Sequence, residues 1–99
     1  MKMMIEFLWI PSELGGHTGE PYQEMRTELI PQRQLSASFS NTPIHEASWN
    51  ILSFDSKQMR GVAECALRKL TANDISWFES GQQVQARNGS RILAVGVVR

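Results

Sequence analysis

Few side chains of this sequence are suited to nucleophilic, metal-binding or proton-transfer chemistry. The chain contains one cysteine, Cys65, and two histidines, His17 and His45. This set offers no zinc-like spacing such as C-x-x-C and no disulfide within the chain. His17 lies in a glycine-rich loop and His45 in a predicted polar turn, where isolated histidines are usually exposed or structural. Cys65 is best explained as a small core hydrophobe. We therefore predict no catalytic residue, no metal and no cofactor.

The carboxylates and the known catalytic motifs lead to the same prediction. Glu24 and Glu28, or Glu13 and Glu20, could be proposed as acid and base, but carboxylates without a pocket pattern are usually solvated. The sequence contains no P-loop, no G-x-G-x-x-G after a strand, no G-x-S-x-G elbow and no H-E-x-x-H. We expect a protein that is not an enzyme. A small histidine-dependent hydrolase remains a remote alternative.

The charge balance argues against strongly charged partners. Ten basic and ten acidic side chains give a net charge of zero and a pI of about 6.7, which disfavours nonspecific binding to nucleic acid or to an anionic membrane. Residues 1–55 are acidic on balance and residues 56–99 are basic, so one face could still carry positive charge. No apolar run approaches the roughly 20 residues of a membrane span, and a single cysteine suits a reducing cytoplasm. We expect a cytoplasmic protein that binds neither DNA nor membranes.

Short strands must position any functional side chain. The apolar run at residues 3–10 is rich in aromatic and β-branched residues and predicts the first strand. It is not expected to be a signal sequence, because a carboxylate interrupts it and Pro11 ends it. A glycine-rich loop follows, and such loops often carry function. Residues 22–35 alternate until Pro31, which indicates a strand followed by an edge or bulge. Leu35, Ala37 and Phe39 predict a short half-buried strand in a polar region, before a turn at Asn41-Thr42-Pro43.

The second half of the chain predicts further strands. A short strand begins at Trp49 and ends at Asp55-Ser56. Residues 61–70 have a helical composition, but a strand would place Ala63, Cys65 and Leu67 on one inner side, and the lack of helix caps favours the strand slightly. Residues 71–74 indicate a turn or the start of a helix.

The C-terminal residues 88–99 form an apolar run that is typical of a strand buried on both faces. Residues 83–87 pair with this run in a hairpin through Asn88-Gly89. The total of six or seven short strands is typical of a closed barrel or a sandwich, formed here by one all-β domain that spans residues 1–99. The residues predicted to lie in or near the core are Ile5, Phe7, Trp9, Ala63, Cys65, Leu67, Val84, Leu93, Val95 and Val97, with Trp49 and Trp77 as further core-filling residues.

Three segments resemble the third, C-terminal domain of elongation factor Tu. They are Leu14-Gly15-Gly16-His17-Thr18 after the strand Ile5-Glu6-Phe7, Met25-Arg26-Thr27-Glu28-Leu29, and the ending Ala86-Arg87-Asn88-Gly89-Ser90-Arg91-Ile92-Leu93-Ala94-Val95-Gly96-Val97-Val98. The family shows an E-G-G-R loop, a Y-R-P-Q-F strand start and a closing R-E-G-G-R-T-V-G-A-G-V-V. The resemblance spans nearly the whole chain and is most specific at the C-terminus. It implies a small closed six-stranded antiparallel β-barrel, in agreement with the strand count.

The same resemblance implies where this domain could bind. In the family it contacts the T stem of aminoacyl-tRNA, the exchange factor and the GTPase domain of its own chain. Three positions depart from the family pattern: Glu28 replaces a glutamine, Asn88 replaces an acidic residue, and Thr27 replaces a proline. The implied binding residues are Gly16, His17, Thr18, Arg26, Glu28, Arg87, Asn88, Gly89 and Arg91.

We expect a monomeric, non-enzymatic binding module whose partner is a protein such as a translation factor. The GTPase domain and second barrel of the family are absent from this sequence, so we expect neither GTP hydrolysis nor tRNA delivery by the chain alone. The alternative is weak tRNA binding through the loops at residues 15–18 and 88–91, where arginines would contact phosphates and glycine amides would approach closely. Arg91 is expected to anchor its turn through buried hydrogen bonds before it serves in binding.

Overall fold

The computed structural model describes residues 1–16, 18–31, 45–68 and 78–99. These residues form six β-strands and one short 3-10 helix, Ser12–Leu14, which follows the first strand. No helix in these ranges is long and apolar enough to cross a membrane. The strands are β1 (Lys2–Trp9), β2 (Met25–Pro31), β3 (His45–Asp55), β4 (Arg60–Leu67), β5 (Gln83–Asn88) and β6 (Arg91–Val98).

Each strand pairs with two antiparallel neighbours, so the sheet closes on itself. The order around the barrel is β1-β4-β3-β2-β5-β6, and β6 pairs with β1 to complete the circle. The predicted all-β fold, a closed six-stranded antiparallel barrel, is therefore confirmed. The choice of a strand over a helix is also confirmed for residues 61–67, which belong to β4, while residues 69–70 of that prediction lie outside the described residues.

The barrel interior is filled by alternate residues of each strand, as the period of two requires. The ring of Phe7 meets that of Trp49 edge to face, with centroids 5.3 Å apart. The indole Nε1 of Trp49 donates a hydrogen bond to Thr27 Oγ1 at 2.9 Å inside the barrel. Most of the predicted core is buried: Ile5, Phe7, Trp9, Trp49, Ala63, Cys65, Leu67, Val84 and Leu93.

Two core predictions in β6 are wrong. Val95 is half-buried and Val97 is 40% exposed, so β6 is not buried on both faces. The cause is a β-bulge, because the register between β5 and β6 shifts by one residue at Leu93. Leu93 and Ala94 are consequently both buried, and the inward alternation continues at Gly96 instead of at Val95.

The predicted turn at His45 is also wrong, because β3 begins earlier than its polar sequence suggests. His45 is 4% exposed, and its ring lies edge-on to the ring of Phe78 with centroids 5.3 Å apart. It is therefore an inward-facing strand residue and not part of an exposed turn. Further along β3, a register shift between Ile51 and Ser53 leaves Leu52 on the outside, 53% exposed.

Some predicted features lie outside the described residues. They are the short strand of Leu35, Ala37 and Phe39, the turn at Asn41-Thr42-Pro43, the turn or helix start at residues 71–74, and the core position of Trp77. Trp9 and Trp49 are both buried, which confirms that these two residues fill the core and do not form a stacking surface.

Candidate docking site

The antiparallel order gathers most of the predicted binding residues at one end of the barrel. The connections β1–β2, β3–β4 and β5–β6 all join strands at this end. Glu28 and Arg87 lie further along the barrel wall, opposite each other in the pairing of β2 with β5. His17 lies outside the described residues. The predicted residues at this end are Gly16, Thr18, Arg26, Asn88, Gly89 and Arg91.

Gly16 has a structural role in the β1–β2 loop. It is buried, and its amide donates a hydrogen bond to the carbonyl oxygen of Pro11 at 3.0 Å. A side chain at this position would overlap the carbonyl of Ile10, so only glycine fits. The loop is held further by a 2.9 Å hydrogen bond from Trp9 Nε1 to the carbonyl of Gly19. The Gly16 amide is therefore engaged within the fold and cannot bind a phosphate.

Two of the predicted arginines, Arg26 and Arg87, lie beside carboxylates. Arg26 Nη1 lies 4.0 Å from Glu46 Oε1, with both side chains mostly exposed. Arg87 and Glu28 are both half-buried and face each other across strands. The Nε atom of Arg87 is buried and has no hydrogen-bond partner among the described residues. A phosphate at this surface would meet two carboxylates along with the two arginines, so the surface is not the cationic footprint that nucleic-acid binding requires.

The hairpin between β5 and β6 presents small and polar groups to solvent. Asn88 pairs with Arg91, so Gly89 and Ser90 form the two-residue turn, and Gly89 adopts the left-handed φ of 65° that such turns require. Asn88, Gly89 and Arg91 are all exposed. The prediction that Arg91 anchors the turn through buried hydrogen bonds is therefore wrong. Arg91 is a solvated charge at the start of a strand.

Burial keeps the two chemically versatile groups of the described residues away from substrates. Burial, with a contribution from the charge of Glu64, raises the pKa of Cys65 from 9.0 to about 12. The thiol is therefore protonated at neutral pH and is not a nucleophile. His45 is buried, and its Nε2 atom has no partner among the described residues. Those residues also contain no group of three or more His, Cys, Asp or Glu side chains placed to hold a metal ion.

A groove on the outer wall crosses β4, β1, β6 and β5 and is also lined by Ser53 of β3. We call it the outer groove, and its volume is about 770 Å³. Two rows of outward side chains form its walls, and each row follows the strand register. One row consists of Ser53, Val62, Glu6, Val97 and Gln83, and the other of Arg60, Leu8 and Val95.

Two glycines explain why the wall is concave here. The floor of the groove is the backbone of Gly61, Phe7, Gly96 and Val84, which are aligned across the four strands. A Cβ atom on Gly61 would lie 2.7 Å from the Phe7 ring, and one on Gly96 would lie 2.7 Å from the side chain of Ile5. Because neither glycine has a Cβ, β4 and β6 can approach the core closely at this level. The outer surface is therefore concave where β4 and β6 lie close to the core.

The outer groove is lined by apolar, polar and charged side chains. Leu8 and Val97 are each 40% exposed and both line this groove. Glu6 Oε1 accepts from Arg99 Nε at 2.9 Å, so this carboxylate is paired. Arg60 is exposed and lies directly opposite Asp55 in the pairing of β3 with β4, without a close ion pair between them. The arrangement can accommodate apolar side chains, but it carries no group for covalent chemistry.

Sequence reasoning missed this site because it assigned Val97 to the core. The apolar run at residues 92–98 has no polar residue that would mark an outer face. The sequence offered one signal, which is the glycine at position 96 between two valines. If this glycine faces inward, both valines beside it must face outward. Leu8 gave a similar signal, since it lies between the inward residues Phe7 and Trp9 on a strand whose other outward residues include Lys2 and Glu6.

Comparisons with known proteins leave the function to be argued from the structure. No family model matches this chain, and no curated protein matches it. The resemblance to the third domain of elongation factor Tu stays a prediction from the sequence motifs.

Proposed function

We propose that this chain is a non-enzymatic binding module that holds a protein partner in the outer groove. The observation that carries the proposal is that Leu8 and Val97, each 40% exposed, line one concave surface of the barrel wall. The barrel interior is filled by other residues, so the fold does not require apolar side chains at these two outward positions. Exposed apolar groups with a polar rim are the usual composition of a protein-binding surface.

The charges of the barrel favour a protein over RNA. The net charge is zero, and Arg26 and Arg87 lie next to carboxylates. The Gly16 amide, which would have approached a phosphate, is occupied within its own loop. An RNA-binding surface gains most of its affinity from unpaired cations along the phosphate backbone. A protein surface of mixed polarity is the better match to this wall.

The resemblance to elongation factor Tu supports the same class of function. In that family the third domain docks against the GTPase domain of its own chain and against the exchange factor. A translation factor is therefore the first partner to test, beginning with the isolated GTPase domain of elongation factor Tu.

The test uses two matched substitutions. Leu8→Lys places a charge in the outer groove, whereas Leu52→Lys places the same charge at another exposed leucine outside it. Purified wild-type protein and both variants are titrated with the GTPase domain by calorimetry, and each is also used to capture partners from a lysate of expressing cells. Captured proteins are identified, purified and titrated in turn.

We expect one protein to bind the wild type and Leu52→Lys alike and to lose at least about tenfold in affinity with Leu8→Lys, because a buried unpaired ammonium is costly. Thermal melts of the variants check that the barrel is intact. The proposal is wrong if every protein that binds the wild type also binds Leu8→Lys with unchanged affinity, or if no purified protein binds at all.

A further inference from the structure

We propose that the tip of the hairpin between β5 and β6 is a site of spontaneous modification, at which the side-chain amide of Asn88 is converted to a carboxylate. The reaction is intramolecular and needs only water. The backbone nitrogen of the residue that follows an asparagine attacks the side-chain amide carbon. Glycine in that following position hinders the attack least, because it has no Cβ atom and moves freely. Asn88-Gly89 is the one Asn-Gly pair in the sequence.

The first step forms a bond between Gly89 N and Asn88 Cγ, and the bond from Cγ to the side-chain nitrogen breaks. That nitrogen leaves as ammonia with its own two hydrogens and the proton of the Gly89 amide, so nothing is oxidised or reduced. The product is a cyclic imide. Water then opens the imide at either of its carbonyls. One opening gives aspartate, and the other gives isoaspartate, whose main chain runs through the former side-chain carbon.

Both reacting groups are free of hydrogen bonds to described residues. Asn88 pairs with Arg91, and the ladder bonds of such a pair use the amides and carbonyls of those two residues. Gly89 lies in the two-residue turn between them, and its amide donates no backbone hydrogen bond to a described residue. The side chain of Asn88 forms none either. Both residues are exposed, so water and hydroxide reach them.

The position of Asn88 in β5 makes the necessary rotation possible. In an extended strand the backbone nitrogen of the next residue is rotated away from the asparagine side-chain carbon, so the pairing must open before the attack. Asn88 is the last residue of β5, and only its terminal pair with Arg91 has to open. The ends of hairpins open at a much lower free energy than the core of a sheet. The hairpin tip therefore permits the reaction while the barrel stays folded.

Asn50 provides a comparison within the same chain. It is also exposed, but it lies in the middle of β3 and pairs with Glu64. The amide of the following residue, Ile51, donates a 2.7 Å hydrogen bond to Gln23 Oε1, and Gln23 Nε2 donates one of 2.7 Å to the Ile51 carbonyl. The nitrogen that would attack is thus engaged, and the branched side chain of isoleucine crowds it. Asn50 should convert more slowly than Asn88.

Conversion changes both the charge and the backbone of the hairpin. A carboxylate at position 88 lies directly opposite Arg91, and opposite charges in a cross-strand pair stabilise a sheet. Isoaspartate instead adds a carbon to the main chain, so the two-residue turn no longer matches the pairing of its strands. The hairpin end thus acquires two new chemical forms with time, one that strengthens the pair with Arg91 and one that breaks it.

The experiment incubates the complete chain for several weeks at neutral and at mildly alkaline pH. Samples are digested, and mass spectrometry measures the carboxylate fraction in the peptides that contain Asn88 and Asn50, with isoaspartate separated from aspartate by chromatography. Digestion in water labelled with heavy oxygen marks any conversion that occurs after unfolding. Asn88→Gln is incubated in parallel, because its longer side chain does not form the same ring readily. Thermal melts confirm that this variant is folded.

We expect Asn88 to convert before digestion, with isoaspartate among the products, and to do so faster at alkaline pH, because hydroxide removes the amide proton. The rate at Asn50 should be at least about fivefold lower, which is the factor that corresponds to the two hydrogen bonds of Ile51. Asn88→Gln should keep its amide at position 88 and convert at Asn50 like the wild type. The proposal is wrong if Asn88 keeps its amide until digestion, or if Asn50 converts as fast as Asn88.

Discussion

Replacing Thr27 with valine should destabilise the barrel by more than the loss of one hydroxyl group suggests. Thr27 is 3% exposed, and its Oγ1 atom accepts the 2.9 Å hydrogen bond from Trp49 Nε1. Trp49 is 2% exposed, so its N–H cannot turn to solvent when the acceptor is removed. Valine has nearly the same shape as threonine and leaves no cavity. The experiment therefore isolates the effect of the missing acceptor.

The expected loss is about 1–3 kcal/mol, which is the cost of leaving a buried donor without a partner. For a domain of this size, 1 kcal/mol corresponds to about 4–8 °C in Tm. The melting temperature should thus fall by at least about 4 °C. The loss is a large part of a total stability of about 5–15 kcal/mol.

A double-mutant cycle tests the cause. Trp49→Phe removes the donor, so adding Thr27→Val to that variant should cost less than about 0.5 kcal/mol or even stabilise it, because the hydroxyl no longer has a partner. Urea unfolding followed by circular dichroism gives the four free energies of unfolding, and unchanged m-values confirm that the unfolding transition is comparable. An equal loss in both backgrounds would show that the hydrogen bond does not stabilise this core.

Three further predictions concern the groove floor, the thiol and RNA. Gly96→Ala should lower the free energy of unfolding by about 1–3 kcal/mol, because its Cβ would lie 2.7 Å from the backbone oxygen of Glu6; a urea midpoint equal to that of wild type would contradict the account of the concave wall. Burial raises the pKa of Cys65 from 9.0 to about 12, so the stabilisation it provides is complete below pH 9.0 and is lost as the pH rises toward 12. Stability should accordingly fall with pH in this window more steeply in the wild type than in Cys65→Ala, and parallel curves would refute the assignment. Labelled tRNA titrated at two salt concentrations should bind weakly, with a logarithmic salt slope smaller than the value of about 0.7–0.9 expected for one phosphate contact; a slope several times larger would restore the RNA alternative.

The barrel could be predicted from the sequence because its strands obey the period of two over most of their length. In β4, the inward set Ala63, Cys65 and Leu67 was correct although the composition favoured a helix. Burial of small apolar groups against neighbouring strands outweighed helix propensity, which differs by less than about 1 kcal/mol per residue. Small apolar residues at alternate positions indicate a strand, because each strand of a closed barrel must present one apolar face to the interior.

The outer groove could not be predicted because a β-bulge is not visible in an apolar run. Leu93 occupies the extra position in β6, and every residue after it changes face. Since Val95 and Val97 are as hydrophobic as core residues, nothing in their type distinguished inside from outside. The position of His45 failed for the opposite reason, since a polar residue in a polar segment gave no sign that the strand had begun.

The resemblance to elongation factor Tu predicts binding residues at the end of the barrel that carries Asn88 and Arg91. The outer groove lies instead on the wall formed by β4, β1, β6 and β5. Both surfaces belong to the same small domain, and they are far enough apart in the strand register to be distinguished residue by residue.

The most direct test is a nuclear magnetic resonance titration of the isotope-labelled chain with its protein partner. The backbone amide shifts of Leu8, Val62 and Val97 report on the outer groove, and those of Asn88 and Arg91 report on the hairpin end. We predict that the largest shifts cluster at the first three residues and disappear with Leu8→Lys. Shifts that cluster at the hairpin end and leave Leu8 and Val97 unchanged would contradict the assignment of the groove as the docking site.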